Sequence, residues 1–157
     1  MTKTILIAEP GKQELFIQRT FNAPRELVFK AYTDPTLIPR WWGPRIYKTT
    51  IDKMDPKPGG SWRFVQHDAE GHEFAFHGVY HEITRPELII DTFEFEGNPG
   101  HHVLLETTTF EEQDGKTNLT VQVVYQSVED RDGMIASGME KGMDEGMQRL
   151  DRLLVGA

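Results

Sequence analysis

The stretch between Pro44 and Ser127 is cut at short intervals by turn-forming residues, and this spacing constrains the fold more than any other feature. The turns are Pro58-Gly59-Gly60, Ala69-Glu70-Gly71, Arg85-Pro86-Glu87, Asn98-Pro99-Gly100 and Asp114-Gly115. Segments with β-like patterns separated in this way are typical of an antiparallel meander. Asp114-Gly115 is the clearest turn, because a type I′ hairpin needs positive φ at both central residues. We therefore predict that Thr107 to Phe110 pairs with Leu119 to Val123.

One strand and two short helices are predicted before the meander. Gln13 to Phe21 carries apolar residues on both faces of a β-like alternation and is interpreted as the first strand. Ala23-Pro24 then places a proline where the first turn of a helix tolerates it, and this helix is predicted to run to about Tyr32. Asp34-Pro35 repeats the start signal, and Gly43-Pro44 ends the second short helix.

The last segment has the pattern of a long amphipathic helix. It opens at Ser127, and Asp130 three residues later gives the arrangement of a capping box with aspartate in place of glutamate. Apolar residues at three- and four-residue spacing then share one face that can lie against the sheet. They are Ile135, Met139, Met143, Met147, Leu150 and Leu154.

Glycines recur every four residues along this predicted helix, at Gly138, Gly142 and Gly146. Each costs about 1 kcal/mol of helix propensity relative to alanine, so something should compensate. Two interpretations stay open. The glycines can let the helix approach the sheet closely, or they can leave volume for a ligand beside the adaptable methionine ridge.

Length and composition indicate one domain that is held together by packing alone. A chain of 157 residues falls within the normal size of a single domain, here 1–157 with a core over 13–154. Termini are often loosely ordered, which is the expectation for residues 1–12. No window approaches the ~18 consecutive apolar residues of a membrane span, and the start lacks a signal-peptide pattern. We therefore expect a cytoplasmic protein with no membrane insertion.

The absence of cysteine excludes disulfides, thiolate metal sites and a cysteine nucleophile. The formal net charge of −8 would repel a phosphate backbone at long range. Nucleic acid is therefore not an expected partner.

Several short motifs resemble one known family over residues from Glu14 to Leu154. The matching motifs are Ala23-Pro24, Thr33-Asp34-Pro35, Trp41-Trp42, Pro58-Gly59-Gly60, Gly78-Val79 and Glu82-Ile83, with the glycine-bearing final helix. The chain resembles the SRPBCC superfamily of START and polyketide-cyclase-like proteins. Within this superfamily it resembles the branch related to a protein that activates the ATPase of the ninety-kilodalton heat-shock chaperone. The similarity is to the C-terminal domain of that activator.

The resemblance implies an α+β helix-grip (START-like) fold. In this fold a curved antiparallel sheet, here of about six to seven strands, wraps around a long C-terminal helix, with two short helices after the first strand. Similar domains bind lipids, plant hormones or polyketides, and some are cyclases or hydrolases, so the fold does not decide the function. The chaperone activators carry a separate N-terminal domain, whereas this sequence begins at the equivalent of their C-terminal domain after about a dozen residues, so we expect chaperone activation less than ligand binding.

Histidine pairs do not predict a metal site. His77 with His81 and His101 with His102 are the nearest pairs among the six histidines. On a strand, residues four apart lie about 13 Å from each other, and adjacent residues point to opposite faces. We expect no metal site and no cofactor.

The leading hypothesis is a non-enzymatic protein that binds a small, largely apolar molecule between the sheet and the final helix. Strand parity and helix spacing select Trp42, Phe64, Gln66, Phe76, Met139, Gly142, Met143 and Met147 as ligand-binding residues. A one-residue error in strand register would exchange the residues on the strands. No catalytic residue is predicted.

Two other hypotheses remain. A cochaperone-like interaction module that docks on a chaperone in stress response predicts a filled interior and a broad exposed patch. A cyclase- or hydrolase-like enzyme requires Asp91, Glu106 or His77 to lie in the pocket with a perturbed pKa, and strand parity does not decide which way they face. The chain is expected to be a monomer or a homodimer.

Overall fold

A computed structural model describes residues 3–100 and 102–156 of the chain. In this part of the chain eight strands form one antiparallel sheet in the order β1-β2-β8-β7-β6-β5-β4-β3. The strands are β1 (Ile5–Ile7), β2 (Glu14–Phe21), β3 (Lys48–Met54), β4 (Ser61–His67), β5 (Glu73–Thr84), β6 (Leu88–Phe95), β7 (Leu104–Gln113) and β8 (Lys116–Val124). The meander predicted from the turns is thus β3 to β8, and β2 adds to it beside β8.

Three α-helices lie in the described residues: α1 (Arg25–Thr33), α2 (Val128–Ala136) and α3 (Met139–Val155). A short 3-10 turn, Ile38–Arg40, follows α1. The α+β helix-grip fold is therefore confirmed, with eight strands instead of six to seven because β1 pairs with β2 at one edge.

The β7–β8 hairpin forms as the turn residues predict. Phe110 pairs with Leu119 and Gln113 with Lys116, and the turn residues Asp114 and Gly115 have φ of 53° and 76°. Glycine has no steric penalty at positive φ, and aspartate is among the few other residues that tolerate it.

The C-terminal helical segment begins as predicted but is interrupted. Ser127 Oγ accepts a hydrogen bond from the Asp130 backbone N–H at 3.0 Å, which satisfies one unpaired donor at the start of α2. The segment then breaks at Ser137 and Gly138, where Gly138 has φ of 88° and precedes α3. Gly138 therefore separates two helices and does not lie on a glycine ridge within one helix.

Arginine side chains hold α3 against the rest of the fold. Arg19, buried on β2, forms an ion pair with Asp151 and a longer one, 3.5 Å, with Asp144. Arg149 donates hydrogen bonds to the backbone carbonyls of Gly43 at 2.9 Å and Trp42 at 3.3 Å. These contacts fix α3 over the inner face of the sheet and beside the segment that follows the 3-10 turn.

Candidate functional site: a cavity under the C-terminal helix

A cavity of about 440 Å³ lies between the inner face of the sheet and α3. Pockets of roughly 300–1,000 Å³ are usual for small-molecule sites. Side chains from the sheet, from α1, from residues 41–44 and from both C-terminal helices line it. The structure brings all of the predicted ligand-binding residues together on its wall: Trp42, Phe64, Gln66, Phe76, Met139, Gly142, Met143 and Met147.

Aromatic rings form one side of the cavity. Trp42 packs edge-on against Phe64, Phe76 and Trp62, with ring centroids 5.2, 5.3 and 6.4 Å away. The alternation of β4 places Trp62, Phe64 and Gln66 on the same inner face, as parity predicts. Edge-to-face contacts of this kind hold rings in fixed orientations, so this wall is preorganised.

The adjacent Trp41 has a different environment from Trp42. Its side chain is buried, and its indole N–H donates to the Ala31 carbonyl at 3.0 Å, which ties the 3-10 turn to α1. Both tryptophans line the cavity, but only Trp41 belongs to the fully buried core.

Two carboxyl groups line the cavity. They belong to Asp91 on β6 and Glu106 on β7, which are directly paired on these neighbouring strands. Burial raises the pKa of Glu106 to about 7. Burial, and then the charge of Glu106, raise the pKa of Asp91 well above its ordinary value. Each side chain keeps some accessible surface, and this surface faces the cavity because both residues lie on its wall. Like charges at directly opposed positions destabilise a sheet, so this pair is unfavourable for folding.

Hydroxyl groups accompany the carboxyl pair. Tyr32, Tyr80, Thr108 and Tyr125 also line the cavity. Burial raises the pKa of each of the three tyrosines, and the charge of Glu106 adds to the effect at all three. The tyrosines are therefore neutral hydrogen-bond donors at physiological pH.

His77 lies outside the cavity. Its Nδ1 is 2.9 Å from Glu96 Oε2 and its Nε2 is 3.3 Å from Glu94 Oε1, on the opposite face of β5 from Tyr80 and Phe76. Of the three residues named in the enzyme hypothesis, Asp91 and Glu106 face the cavity and His77 does not. In the described residues no group of three or more His, Cys, Asp or Glu side chains could hold a metal ion. His101 lies outside the described residues.

Two glycines of α3 pack against the segment at residues 41–44. A Cβ on Gly142 would lie 3.2 Å from Pro44 Cγ, and one on Gly146 would lie 3.4 Å from the Gly43 nitrogen and the Trp41 carbonyl oxygen. The structure therefore shows the first role, in which the glycines let the helix pack closely against another part of the chain. The helix packs at these glycines against the segment after the 3-10 turn, and not against the sheet as predicted. Both glycines also line the cavity, so the second interpretation, volume for a ligand, stays a prediction.

The comparison with protein families identifies the chain's family. The family model described as "Activator of Hsp90 ATPase homolog 1-like protein" matches residues 22–155. The chain belongs to this family. The match confirms the resemblance inferred from the Ala-Pro, Thr-Asp-Pro, Trp-Trp and Pro-Gly-Gly motifs. A search of curated proteins found no significant match.

Solved structures share the fold over nearly the whole chain. A protein from Rhodobacter sphaeroides is 28% identical, with a TM-score of 0.90 and 99% coverage of both chains. Protein Ms6760 from Mycobacterium smegmatis is 25% identical, with a TM-score of 0.84 and coverage of 97% of this chain and 96% of the other. An Hsp90 activator from Plasmodium falciparum is 22% identical, with a TM-score of 0.54 over 71% of this chain and 72% of its own, and shows the fold alone.

In the described residues no helix is both long and apolar enough to cross a membrane.

Proposed function

We propose that the protein binds a small, largely apolar molecule in the cavity under α3. The observation that carries this proposal is the cavity itself, about 440 Å³ and lined largely by aromatic and aliphatic side chains. A dry, empty cavity costs stability in proportion to its volume. An apolar occupant that replaces water along this largely apolar wall is therefore favoured.

The methionines of α3 support binding of this kind. Met139, Met143 and Met147 project from three successive turns of the helix onto the cavity wall. An unbranched thioether chain adapts to the outline of a ligand at low cost. The rigid aromatic side of the cavity can match part of a ligand's shape before binding, and the flexible methionine side can adapt to the rest.

The proposal is tested with N-phenyl-1-naphthylamine, an apolar dye whose nitrogen is not basic and whose fluorescence rises in apolar surroundings. Val123 faces the cavity and is 3% exposed, whereas Val124 is the next residue on β8 and points to the opposite face. V123F fills part of the cavity, and V124F adds the same side chain outside it. We expect V123F to weaken dye binding at least about tenfold and V124F to leave it unchanged.

Native mass spectrometry followed by organic extraction of the purified protein completes the test, because a stoichiometric small molecule would give the class of the natural ligand. Dye binding that V123F and V124F affect equally would contradict binding in this cavity, provided that circular dichroism shows both variants folded.

A cochaperone-like role is a second candidate, favoured by membership of the Hsp90-activator-like family. That hypothesis predicted a filled interior, whereas the structure contains a cavity. Stimulation of the ATPase of a purified Hsp90 by this protein would support the role. If V123F and V124F stimulated equally, the stimulation would not depend on the cavity.

A proton-transferring enzyme is a third candidate, favoured by the placement of Asp91 and Glu106 on the cavity wall. Carboxyls with raised pKa in an apolar site can give or take protons near neutral pH. Turnover of the extracted ligand by wild type but not by E106Q would support it.

A further inference from the structure

Three polar side chains form one row across the inner face of the sheet. Tyr80 on β5 pairs with Asp91 on β6, and Asp91 pairs with Glu106 on β7. All three line the cavity. Thr108 follows Glu106 on the same face of β7 and also lines the cavity. The row and Thr108 together put two carboxyls and two hydroxyls on one part of a largely apolar wall.

The side chains of this row have no hydrogen-bond partner within the described residues. Tyr80 is 4% exposed and Thr108 is 6% exposed, yet neither hydroxyl is bonded to another group of the described chain. No N–H or O–H group of the described residues donates to Asp91 or Glu106, and no cation contributes to the pKa of either carboxyl. Large majorities of buried polar groups in proteins do have partners, and Tyr80 and Thr108 are two buried side chains without one on the wall that carries both carboxyls, which indicates a site for a polar group of a ligand.

A structural role does not explain the row. Two carboxyls facing each other in an apolar cavity without a cation cost desolvation free energy and repel each other when ionised. Elsewhere the same chain pairs its inward-facing charge: Arg19 on β2 has Asp144 and Asp151 as partners. Among the described residues that line the cavity, by contrast, no Lys or Arg side chain provides a counter-charge for Asp91 and Glu106.

We propose that the cavity selects an apolar molecule that carries a primary or secondary amine, with the ammonium group bound between Asp91 and Glu106 and beside Tyr80. This inference rests on the proposed ligand binding and names the polar end of that ligand.

The chemistry of the row favours an ammonium group over the alternatives. A carboxylate pair offers four acceptor oxygens, and an ammonium offers only donors together with the compensating charge. A quaternary ammonium lacks N–H donors, and a carboxylate or phosphate would add a third negative charge. Tyr32, Tyr80 and Tyr125 line the same cavity, and tyrosine rings attract cations. The net charge of −8 also favours encounter with a cationic ligand.

The test compares three probes with one apolar skeleton: 2-(2-naphthyl)ethylamine, 2-(2-naphthyl)ethanol and 2-naphthylacetate. Each displaces N-phenyl-1-naphthylamine at pH 7.5 from wild type, from the D91N/E106Q double variant and from E111Q. Glu111 is exposed on the same strand as Glu106, so E111Q removes one carboxyl outside the cavity. We expect wild type and E111Q to bind the amine at least about tenfold more tightly than the alcohol, and the acid most weakly. The double variant should bind the amine and the alcohol about equally.

Proton release gives a second readout that apolar burial alone would not produce. An ammonium between the carboxyls favours their ionised forms, so binding should release protons to the buffer near pH 7. Tyr32, Tyr80 and Tyr125 stay neutral there because burial raises the pKa of each, and the α3 residues on the wall carry no titratable group. Calorimetry in buffers of different ionisation enthalpy should detect release with the amine and none with the alcohol.

The outcomes separate this inference from the proposed function. Equal affinity of wild type for amine and alcohol, or an amine preference that survives in the double variant, would overturn the amine site while leaving apolar binding intact. Failure of the dye and of all three probes to bind would overturn both.

Discussion

Replacing Glu106 with glutamine should remove its own share of a pH dependence of stability that comes from the two cavity carboxyls. Glutamine has nearly the same shape but never ionises, so E106Q keeps the packing and takes away one buried charge. The folded protein disfavours the ionised form of Glu106, whereas the unfolded chain exposes it to water. Folding therefore becomes less favourable as Glu106 ionises.

The sign and size follow from the pKa. Burial raises the pKa of Glu106 from 4.5 to about 7, so the folded state binds this proton more tightly than the unfolded state. The stabilising contribution is complete below the unfolded pKa and is lost as the pH rises through the folded pKa. Integrated from pH 5 to pH 8, the loss is about 2 to 3 kcal/mol for one such group. Relative to wild type, E106Q should gain that amount across this range.

Urea unfolding at pH 5, 6, 7 and 8 measures the difference. Glu96 acts in the opposite direction, because Arg63 and His77 lower its pKa to about 2. Such carboxyls are present in both proteins, so their effect cancels in the difference between E106Q and wild type. E111Q is the control, because it removes an exposed carboxyl of the same strand and should follow wild type. Parallel profiles for wild type and E106Q would refute the reasoning, since Glu106 would then ionise as freely in the fold as in water.

Two further predictions concern how α3 is held. Gly138 has φ of 88°, so G138A should destabilise the fold by about 1 kcal/mol or more in urea unfolding. G133A should instead stabilise it by up to about 1 kcal/mol, because Gly133 is helical with open space around it, and a loss for both variants would contradict the argument. R149A should cost about 2 kcal/mol and weaken dye binding, because Arg149 donates to carbonyls of the 39–43 segment beside the cavity. Unchanged dye affinity in folded R149A would show that this segment needs no such anchor.

The inward face of β4 was predictable because its pattern is local. Trp62 and Phe64 alternate with Ser61 and Arg63, and a period of two leaves few choices once one face is assigned to the core. The same holds for the methionines of α3, whose spacing places them on one face. These two patterns account for five of the eight predicted cavity residues, and the structure places all eight on the cavity wall.

The carboxyl pair was not predictable in this way. β6 and β7 carry apolar residues on both faces, so alternation divides each strand into two classes without showing which class faces α3. Asp91 and Glu106 were candidates for an acid–base role, but neither was among the predicted binding residues. The signal that could have found the carboxyl pair is register through the Asn98-Pro99-Gly100 turn, which brings Asp91 opposite Glu106. Tyr80 joins this row only because a β-bulge between Tyr80 and Glu82 shifts the register of β5 by one residue, which turn positions do not show.

The sequence by itself determined the order of the elements from β2 to β8, the β7–β8 hairpin and the start of α2, because turn and capping residues act on their own neighbours in the chain. Only the tertiary structure decided that the C-terminal segment breaks at Gly138, that Gly142 packs against Pro44 and that two carboxyls face the cavity. These features depend on strands and helices that meet from distant parts of the chain, and their free energies belong to the packed assembly and not to any one segment.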